Sequence, residues 1–574
     1  MKHPIFLLKS RKLLFFTLLF SAAICLQGTA AGVTRYVSTS GDDTDNDCLD
    51  SANACATIVY AIGQADPGDT VEVAAGTYTE HGITLDKDLT INGHSASDTV
   101  VQAAATPGIA TDRVFVINSG LSVTISGLTI ANGLAAQAGG IYSEGSLTLN
   151  SCVVTGNSAV DSFVSAGGGI FTRGPLTISE SVITGNHCTG IFGATGGGIE
   201  GVGDESLSIT NSTISGNTAM FGAGLRKLRG TADLANCTIS GNTAAGSAGG
   251  MEISEATVTL TNCTISGNTA NGGGRGSGVH TIAVNGDASA SLTLIGCTLT
   301  NNTGVGGAAI FTESAIAFPA VTTDLNDTLV AGNTGPNFVT TGTNASLVSE
   351  GYNLDSDGTS GFSGATDIVG APASPIDAKL GPLQDNGGPT FTHELLTGSP
   401  AIDHGKNSSG STTDQRGTGF ARTFDNPAIA NATGGDGTDI GAFEVQAAVC
   451  PQPQGFWKNN PNAWPVNNLT LGSQSYTKTE LLRILRTSTG TGAKADASLI
   501  LADQLIAAKL NIANGADGTP VTSTIAAADT VLSLYTGRLP YKVRTNTTNG
   551  RRMVQDGATL ESYNNGLLTS GCGG

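Results

Sequence analysis

The nonapeptide NCTISGNTA occurs at residues 236–244 and again at 262–270, so the chain repeats one local shape after 26 residues. Repeats of this length are typical of solenoids, in which each unit packs only against its neighbours. The Asn that follows Gly in the nonapeptide belongs to a longer series, whose spacings run from 25 to 34 residues. The members of this series are Asn132, Asn157, Asn186, Asn217, Asn242, Asn268, Asn302 and Asn333.

Each repeat contains short runs in which apolar and polar residues alternate, and such runs predict β-strands. Examples are LTL at 147–149, LTI at 176–178 and VTL at 258–260. Gly and Asn between the runs suit tight corners, because both tolerate the left-handed backbone conformation. We therefore predict an all-β right-handed parallel β-helix, in which like residues stack at about 4.8 Å. Leucine-rich repeats are the alternative, but their fixed leucine pattern is absent.

A column of small side chains is predicted to point into this β-helix. Its members lie five residues before each Asn of the series, and Cys237 and Cys263 should be neighbours in it. Stacked side chains run parallel, so we expect buried free thiols there, with a Cys237–Cys263 disulfide as the alternative. The column consists of Gly127, Cys152, Ser181, Ser212, Cys237, Cys263, Cys297 and Thr328.

The first 31 residues have the pattern of an export signal. Four basic residues precede the apolar run LLFFTLLFSAAICL at 13–26, and small residues follow it. We expect an extracellular or cell-surface protein without a further transmembrane segment; a retained membrane anchor is the alternative. In an exported protein, Cys48 with Cys55 and Cys450 with Cys572 are candidate disulfides. The predicted divisions are a signal peptide at 1–31, an N-terminal cap with first strands at 32–80, β-helix coils at 81–371, C-terminal coils or cap at 372–446, and a small, mostly α-helical domain at 450–574.

Several motifs resemble a known family. PLQDNGGPTFTHELLTGSPAIDHG (382–405), DQRG (414–417) and DIGAFE (439–444) resemble the "choice-of-anchor Q" β-helix proteins of bacteria, as do RYVSTSGDD and PGDTVEVAAGTYTE near the start. The resemblance covers roughly residues 35–446 and implies a pectate-lyase-like solenoid that is secreted or on the bacterial surface. The later QGFWKNNPNAWP (454–465) is similar to a terminal domain of secreted bacterial proteins, although Asn460 stands where that motif often has His.

Charge is unevenly distributed along the chain. Residues 32–449 hold 12 Lys and Arg against 39 Asp and Glu, whereas residues 450–574 hold 11 against 7. An acidic body repels phosphates, so nucleic acid is excluded as a partner. The expected partner is an extracellular polysaccharide or a cell-envelope polymer, which the basic tail could contact. Trp457 and Trp464 in this tail are candidates for stacking against sugars, or for the core of a small domain.

One outward-facing column of charged and aromatic residues is a candidate functional site. The residue after the inward aliphatic of each GGI-like motif should point away from the core, so that charged groups and aromatic rings line up. Two acids flanking a sugar suit glycoside cleavage, and an arginine could act as a lyase base or hold a sugar carboxylate. A ladder of charges that pair between coils is the alternative interpretation. The column consists of Tyr142, Phe171, Glu200, Arg226, Glu252, His280 and Phe311.

These observations leave two hypotheses for function. The first is a non-catalytic rod for adhesion or glycan binding, attached through its C-terminal domain. The second is a polysaccharide lyase or glycoside hydrolase with Glu200, Arg226, Glu252 and His280 as catalytic residues and the aromatic side chains as sugar platforms. Both occur on β-helices, but the Ser, Thr, Asn and Gly that dominate the coils favour the first.

No cofactor is certain, and calcium is the one candidate. The stretch DDTDNDCLD (42–50) offers hard oxygen ligands that suit this ion. Cys48 stands where an EF-hand needs Gly, so the EF-hand pattern is absent, and a solvated acidic loop is the alternative. The candidate ligands are Asp43, Asp45, Asp47 and Asp50.

Overall fold

A computed structural model describes residues 32–569 and Cys572, apart from 192, 274, 285–287, 305–306, 315–318 and 447–448. The predicted signal peptide at 1–31 lies outside the described residues. The chain forms two compact units, one ending at His393 and the other beginning at Glu394.

The first unit is a parallel β-helix whose coils contribute strands to four long sheets. Two of these sheets, here called A and B, have twelve strands each. Every strand pairs in parallel with the equivalent strand one coil away, as Thr238 does with Thr264. Sheet A contains Thr34–Val37, Thr70–Val73, Leu89–Gly93, Ser122–Ser126, Ser146–Asn150, Leu176–Ser179, Leu207–Thr210, Thr231–Ala235, Thr257–Thr261, Ala290–Ile295, Val321–Asn326 and Ala345–Ser349. Sheet B contains Gly76–Thr79, Thr99–Gln102, Thr129–Ala131, Val153–Thr155, Val182–Thr184, Thr213–Ser215, Thr238–Ser240, Thr264–Ser266, Thr298–Thr300, Leu329–Ala331, Leu354–Asp355 and Ile368–Val369.

Sheets C and D complete the coils, with ten and seven strands. A small two-stranded sheet, Val164–Ala166 with Gly193–Thr195, lies between them in the chain. Sheet C contains Ile83–Leu85, Phe115–Ile117, Ile141–Ser143, Ile170–Thr172, Ile199–Val202, Leu225–Leu228, Met251–Ser254, Val279–Ala283, Ile310–Ser314 and Phe338–Thr341. Sheet D contains Leu134–Ala135, Ser158–Asp161, His187–Gly190, Thr218–Ala219, Thr243–Ala244, Thr269–Ala270 and Thr303–Gly304.

The repeated nonapeptide forms two corners and the strand between them. Asn236 turns the first corner with a φ of 56°, and Gly241 turns the second with a φ of 64°. The strand Thr238–Ser240 joins them and points Ile239 into the core, where it is fully buried. The corner before Asn242 therefore depends on the left-handed Gly, and the expectation that this Asn itself turns the chain is wrong.

Asn242 instead belongs to a buried ladder of side-chain amides. Its Oδ1 accepts hydrogen bonds from the backbone N and Nδ2 of Asn217, at 2.9 and 3.0 Å. Its Nδ2 donates to the carbonyl oxygen of Ile214 and to Oδ1 of Asn268. Each amide thus satisfies polar groups of both neighbouring coils, which explains the residue's recurrence. The ladder comprises Asn157, Asn186, Asn217, Asn242, Asn268, Asn302 and Asn333.

From Cys152 onward the column of small residues is buried, and its cysteines are free thiols. The inclusion of Gly127 is wrong, because it turns a corner with a φ of 64° and the pairing of Val153 with Thr129 puts Leu128 beside Cys152. The backbone N of Cys237 donates to Sγ of Cys263 at 3.4 Å, and no disulfide links them. Ser181 and Ser212 continue the column with the same pattern, in which one backbone N–H donates to the next side chain. The expected burial of free thiols is confirmed for these two cysteines.

Helix α1, Ile58–Gln64, closes the start of the β-helix and lies within residues 32–80, the predicted N-terminal cap and first strands. Thr57 caps it by accepting from the backbone N of Tyr60, and Ile58 and Ile62 pack into the core. A disulfide joins Cys48 to Cys55 just before this helix. The 3₁₀ turn Ser51–Asn53 lies inside the loop that the disulfide closes.

The segment predicted as C-terminal coils or cap, residues 372–446, contains two short strands near its start. The last coil pairing joins Leu354–Asp355 to Ile368–Val369, and two short strands follow at Leu380–Gln384 and Thr392–Leu395. The described residues between 396 and 446 contain no strand, because this stretch lacks the alternation that the coils require. The division into units accordingly falls at His393, inside the predicted cap.

The helices of the second unit enclose a core of their own, and a disulfide joins Cys450 to Cys572. Thr477 begins α3 with a capping box completed by Glu480, and Asp496 caps α4. No helix among the described residues is long and apolar enough to span a membrane. The helices are α2 Gln454–Asn459, α3 Lys478–Arg486, α4 Ala497–Ala513, α5 Thr522–Leu532 and α6 Thr548–Asn564, with 3₁₀ turns at Pro461–Ala463, Gly492–Lys494 and Thr519–Val521 and an antiparallel pair Asn468–Leu471 and Gln474–Thr477.

Candidate functional site

The predicted column lies in register along sheet C. Glu200 is paired with Arg226, Arg226 with Glu252, and Glu252 with His280 on successive strands. The aromatic residues occupy the predicted positions at both ends, with Tyr142 beside Phe171 and Phe311 beside His280. The structure therefore brings all seven predicted residues into one line.

Arg226 binds both acids of this line. Its Nη1 donates to Oε1 of Glu200 at 2.7 Å, and its Nε donates to Oε1 of Glu252 at 2.7 Å. The ladder of pairing charges, which the sequence left as an alternative, is thus present in the structure. These two short charge-assisted hydrogen bonds fix the guanidinium between the acids.

The line is more buried than a solvent-facing column should be. Glu200 is 1% exposed, Glu252 8% and His280 2%. The cause is the Gly-rich turn before each strand, which folds back over the column. A Cβ added at Gly196 would lie 2.7 Å from Cβ of Glu200, and one added at Gly222 would lie 2.9 Å from Cβ of Arg226.

Two further residues belong to the cluster and were missed from the sequence. Nε2 of His280 lies 3.3 Å from Oε2 of Glu313, and Nη1 of Arg275 donates to that same oxygen at 2.8 Å. Glu313 follows Phe311 by two residues, so alternation along the strand could have placed it on this face. Arg275 lies in a Gly-rich loop whose path the repeat does not define.

A cleft of about 530 Å³ opens over one end of the charged line. Arg226, Glu252 and His280 line it, whereas Glu200 does not. Among the described residues, Nδ1 of His280 and Oγ of Ser254 are buried without a hydrogen-bond partner, and both residues line the cleft. The remaining lining residues are Phe221, Ser247, Gly272, Gly273, Arg275, Ile282 and Val284.

Burial and pairing shift the proton affinities of the cluster. Burial raises the pKa of Glu200, and the ion pair with Arg226 opposes this only in part. Burial lowers the pKa of Arg226 less than its two carboxylate partners raise it, so this pKa lies above its ordinary value. The hydrogen bond from His280, helped by Arg275, lowers the pKa of Glu313. Arg226 consequently stays charged at any physiological pH.

The aromatic side chains do not form open sugar platforms. The rings of Tyr142 and Phe171 stack on each other with centroids 5.4 Å apart, and His280 packs edge-on against Phe311 at 5.5 Å. Sugar stacking on Trp457 and Trp464 is wrong, since both are buried in the core of the second unit. That core is apolar, and each indole N–H is satisfied inside it, by Oδ1 of Asn511 and by the carbonyl oxygen of Trp457.

The acidic loop at 42–50 does not assemble a cation site. The carboxylate of Asp43 accepts from the backbone N of Ala56 and from Thr57, while Asp47 and Asp50 each accept a backbone N–H two residues ahead. Asp45 is exposed with a φ of 50°. No group of three His, Cys, Asp or Glu side chains suited to a metal ion occurs in the part of the chain that the structure describes. The structure therefore does not bring these acids together as calcium ligands.

Comparison with known proteins adds the handedness of the fold. A family model described as a right handed beta helix region matches residues 112–274 and 177–323. The first unit is a right-handed parallel β-helix, as predicted. Among solved structures, pectate lyase Pel9A is similar at 13% identity and a TM-score of 0.41, covering 73% of this chain and 97% of that chain. A rhamnogalacturonan lyase is similar at 13% identity and a TM-score of 0.32, covering 64% and 96%. No curated protein matches the chain.

Two of the motifs that carry the family resemblance, DQRG and DIGAFE, pack together in the second unit. Nη2 of Arg416 donates to Oδ2 of Asp414 at 2.6 Å, and the rings of Phe420 and Phe443 lie 4.0 and 3.7 Å from its guanidinium carbon. The carboxylate of Glu444 accepts the backbone N–H groups of Phe424 and Asp439. DQRG and DIGAFE thus hold this segment together rather than forming an open site.

The buried acids of this cluster make the second unit less stable as the pH rises above about 4. Burial raises the pKa of Asp439 to about 7 and that of Glu444 to about 10. An acid whose pKa is raised on folding contributes stability below its unfolded pKa and loses it as pH rises through the folded value. We expect the thermal midpoint of this unit to fall by about 5 °C between pH 4 and pH 8. Calorimetry should find a smaller fall for Asp439→Asn, and an unchanged fall for the exposed control Asp436→Asn.

Proposed function

We propose that this protein is an extracellular, non-catalytic β-helix that binds a glycan in the cleft over sheet C and is held at the bacterial surface by its C-terminal unit. The observation that carries this proposal is that Glu252 is the only carboxylate among the described residues that line the cleft, and Arg226 binds it at 2.7 Å. A carboxylate fixed in this way can accept hydrogen bonds from sugar hydroxyls. It is poorly suited to transfer protons.

Cleavage of a glycan requires a second carboxylate or a base of suitable pKa, and the described lining of this cleft supplies neither. Glycosidases place two carboxylates on either side of the scissile bond, but Glu200 is 1% exposed and lies outside the lining. A lyase needs a base whose pKa lies near the working pH. The two acids hold the pKa of Arg226 above its ordinary value, so this side chain keeps its proton.

The lining residues suit sugar recognition. Arg275 reaches the cleft with its side chain 53% exposed, and the ring of Phe221 offers an apolar face. Ser254 and His280 each hold a buried polar atom beside the cleft that makes no hydrogen bond among the described residues. Clefts that bind small polar ligands combine a few placed polar groups with apolar or aromatic walls in this way.

A binding measurement with a paired product assay tests the proposal. We expect Glu252→Gln to weaken binding to the best ligand of a neutral and acidic polysaccharide panel by about tenfold, because a charged hydrogen-bond acceptor is lost. Calorimetric titration gives the affinity, and reducing-end release together with absorbance of unsaturated products measures cleavage.

The matched control is Glu255→Gln. Glu255 pairs with Arg229 at 3.3 Å through the same kind of link between coils, but it does not line the cleft. This variant should retain the wild-type affinity. Cleavage by the wild type that disappears in Glu252→Gln would instead establish a lyase or hydrolase and overturn the non-catalytic assignment.

A further inference from the structure

A second cleft, of about 510 Å³, lies in the C-terminal unit. It is formed by the loop between α5 and α6 together with the first turn of α6. All of its lining belongs to this one stretch of chain. The lining residues are Tyr535, Tyr541, Lys542, Val543, Arg544, Thr547, Thr548 and Asn549.

Two tyrosines form one wall of this cleft. The rings of Tyr535 and Tyr541 stack with centroids 5.2 Å apart and an interplanar angle of 14°. Both are partly exposed at the edge of the domain core, and Nδ2 of Asn549 donates to the hydroxyl of Tyr535 at 3.2 Å. Paired aromatic rings with polar tips combine an apolar surface with hydrogen-bonding groups.

Two cations, Lys542 and Arg544, form the other wall of the cleft. Among the described residues, the side chains of Lys542 and Arg544 have neither a hydrogen bond nor an ion pair, and both residues are exposed. The nearby Arg538 differs, since it pairs with Glu480 at 3.5 Å and lies over the ring of Tyr476. The first turn of α6 adds backbone N–H groups, which also favour a negative charge.

The loop is held in this shape by a buried anchor. Lys542 has a φ of 55°, which is strained for a residue with a side chain. The carboxylate of Asp496 accepts the backbone N–H groups of Lys542 and Val543 at 2.9 and 3.1 Å, and Oγ of Ser498 accepts that of Tyr541. Three hydrogen bonds from the start of α4 thus preorganise both walls before any ligand arrives.

From these contacts we infer that this cleft is a binding site for an acidic sugar chain, whose ring packs on the tyrosines and whose carboxylate pairs with Lys542 and Arg544. The inference deepens the proposed attachment through the C-terminal unit and takes from it only the glycan class of the ligand. Nucleic acid offers charge and rings as well, but the export pattern of residues 1–31 favours an extracellular sugar polymer, and binding to single-stranded DNA distinguishes the two.

The test uses the whole mature chain and three polymers. Polygalacturonate carries both sugar rings and carboxylates, dextran carries rings alone, and single-stranded DNA carries phosphates with aromatic bases. We expect polygalacturonate to bind best. The double variant Lys542→Gln/Arg544→Gln should weaken this binding by about tenfold or more, because charged hydrogen bonds are lost. Equal binding of dextran, or preferred binding of DNA, would overturn the inference.

Two control variants make the result specific. Arg551→Gln/Arg552→Gln removes the same charge from exposed positions of α6 that do not line the cleft, and should leave binding unchanged. An equal loss in this control would reduce the effect to non-specific attraction and overturn the inference. In a Glu252→Gln background, Lys542→Gln/Arg544→Gln should weaken polygalacturonate binding by the same factor as in the wild type. A failure of the glycan site proposed in the β-helix cleft is therefore distinguishable from a failure of the site in the C-terminal unit. Circular dichroism checks that each variant is folded.

Discussion

Replacing Arg226 by methionine is expected to lower the free energy of unfolding of the β-helix unit by about 3–5 kcal/mol at pH 7. The arginine is the shared partner of Glu200 and Glu252, whose side chains are 2% and 10% exposed. Without it, two acids on alternate coils remain buried with no positive charge between them. Methionine is chosen because it keeps most of the side-chain volume, so the loss reports charge rather than a cavity.

Denaturant-induced unfolding followed by circular dichroism measures this loss. The deficit should shrink at pH 4, because burial raises the pKa of Glu200 and a protonated acid no longer needs a partner. Adding Glu200→Gln and Glu252→Gln to the Arg226→Met background should recover most of the stability. A loss below about 1 kcal/mol in the single variant would contradict a structural role for this ion pair.

Replacing Asn242 by leucine is expected to lower the free energy of unfolding by about 4 kcal/mol, although the two side chains have the same branching and the same number of heavy atoms. Asn242 is fully buried, and its amide serves the backbone N–H of Asn217 and the carbonyl of Ile214. Leucine leaves both backbone groups buried without partners, and each such group costs about 1–3 kcal/mol.

The exposed residue Asn271 provides the matched control for this substitution. Asn271→Leu makes the same chemical change on the surface of a neighbouring coil and should alter the unfolding free energy by less than about 0.5 kcal/mol. If both variants lost an equally small amount of unfolding free energy, the ladder of Asn amides would contribute little to stability. Hydrogen exchange should further place the loss in Asn242→Leu at the strands Thr213–Ser215 and Thr238–Ser240, which flank the broken link.

The repeat made the β-helix predictable. The inward column follows from aligning one Asn per coil, because neighbouring coils must match. The register of Glu200, Arg226, Glu252 and His280 follows instead from aligning the GGI-like motifs that precede them. The role of that Asn was not predictable from conformational preference alone. A buried Asn that hydrogen-bonds to two coils and an Asn in a tight turn produce the same sequence pattern, one Asn per coil.

The parts that were missed depend on the turns between the alternating strands. The cover over the charged line comes from turns before the strands, and Arg275 enters from one of them, so alternation along a strand cannot locate either. In the C-terminal unit, Trp457 and Trp464 were the predicted sugar-stacking residues because they are the only tryptophans of the sequence. The aromatic residues that line the cleft are instead Tyr535 and Tyr541. How rare a residue type is in the sequence does not predict whether its side chain is buried, because burial depends on tertiary packing.

The two copies of the nonapeptide have a consequence for inheritance. Because Cys237 stacks on Cys263 and Asn242 on Asn268, a recombination event between the two matching gene segments removes or adds one whole coil and keeps both of these stacks in register. Loss of residues 237–262 would leave Asn217 facing Asn268 and Arg226 facing His280. The length of the β-helix can therefore change in single genetic steps, and each step also deletes or duplicates one charge of the line in sheet C.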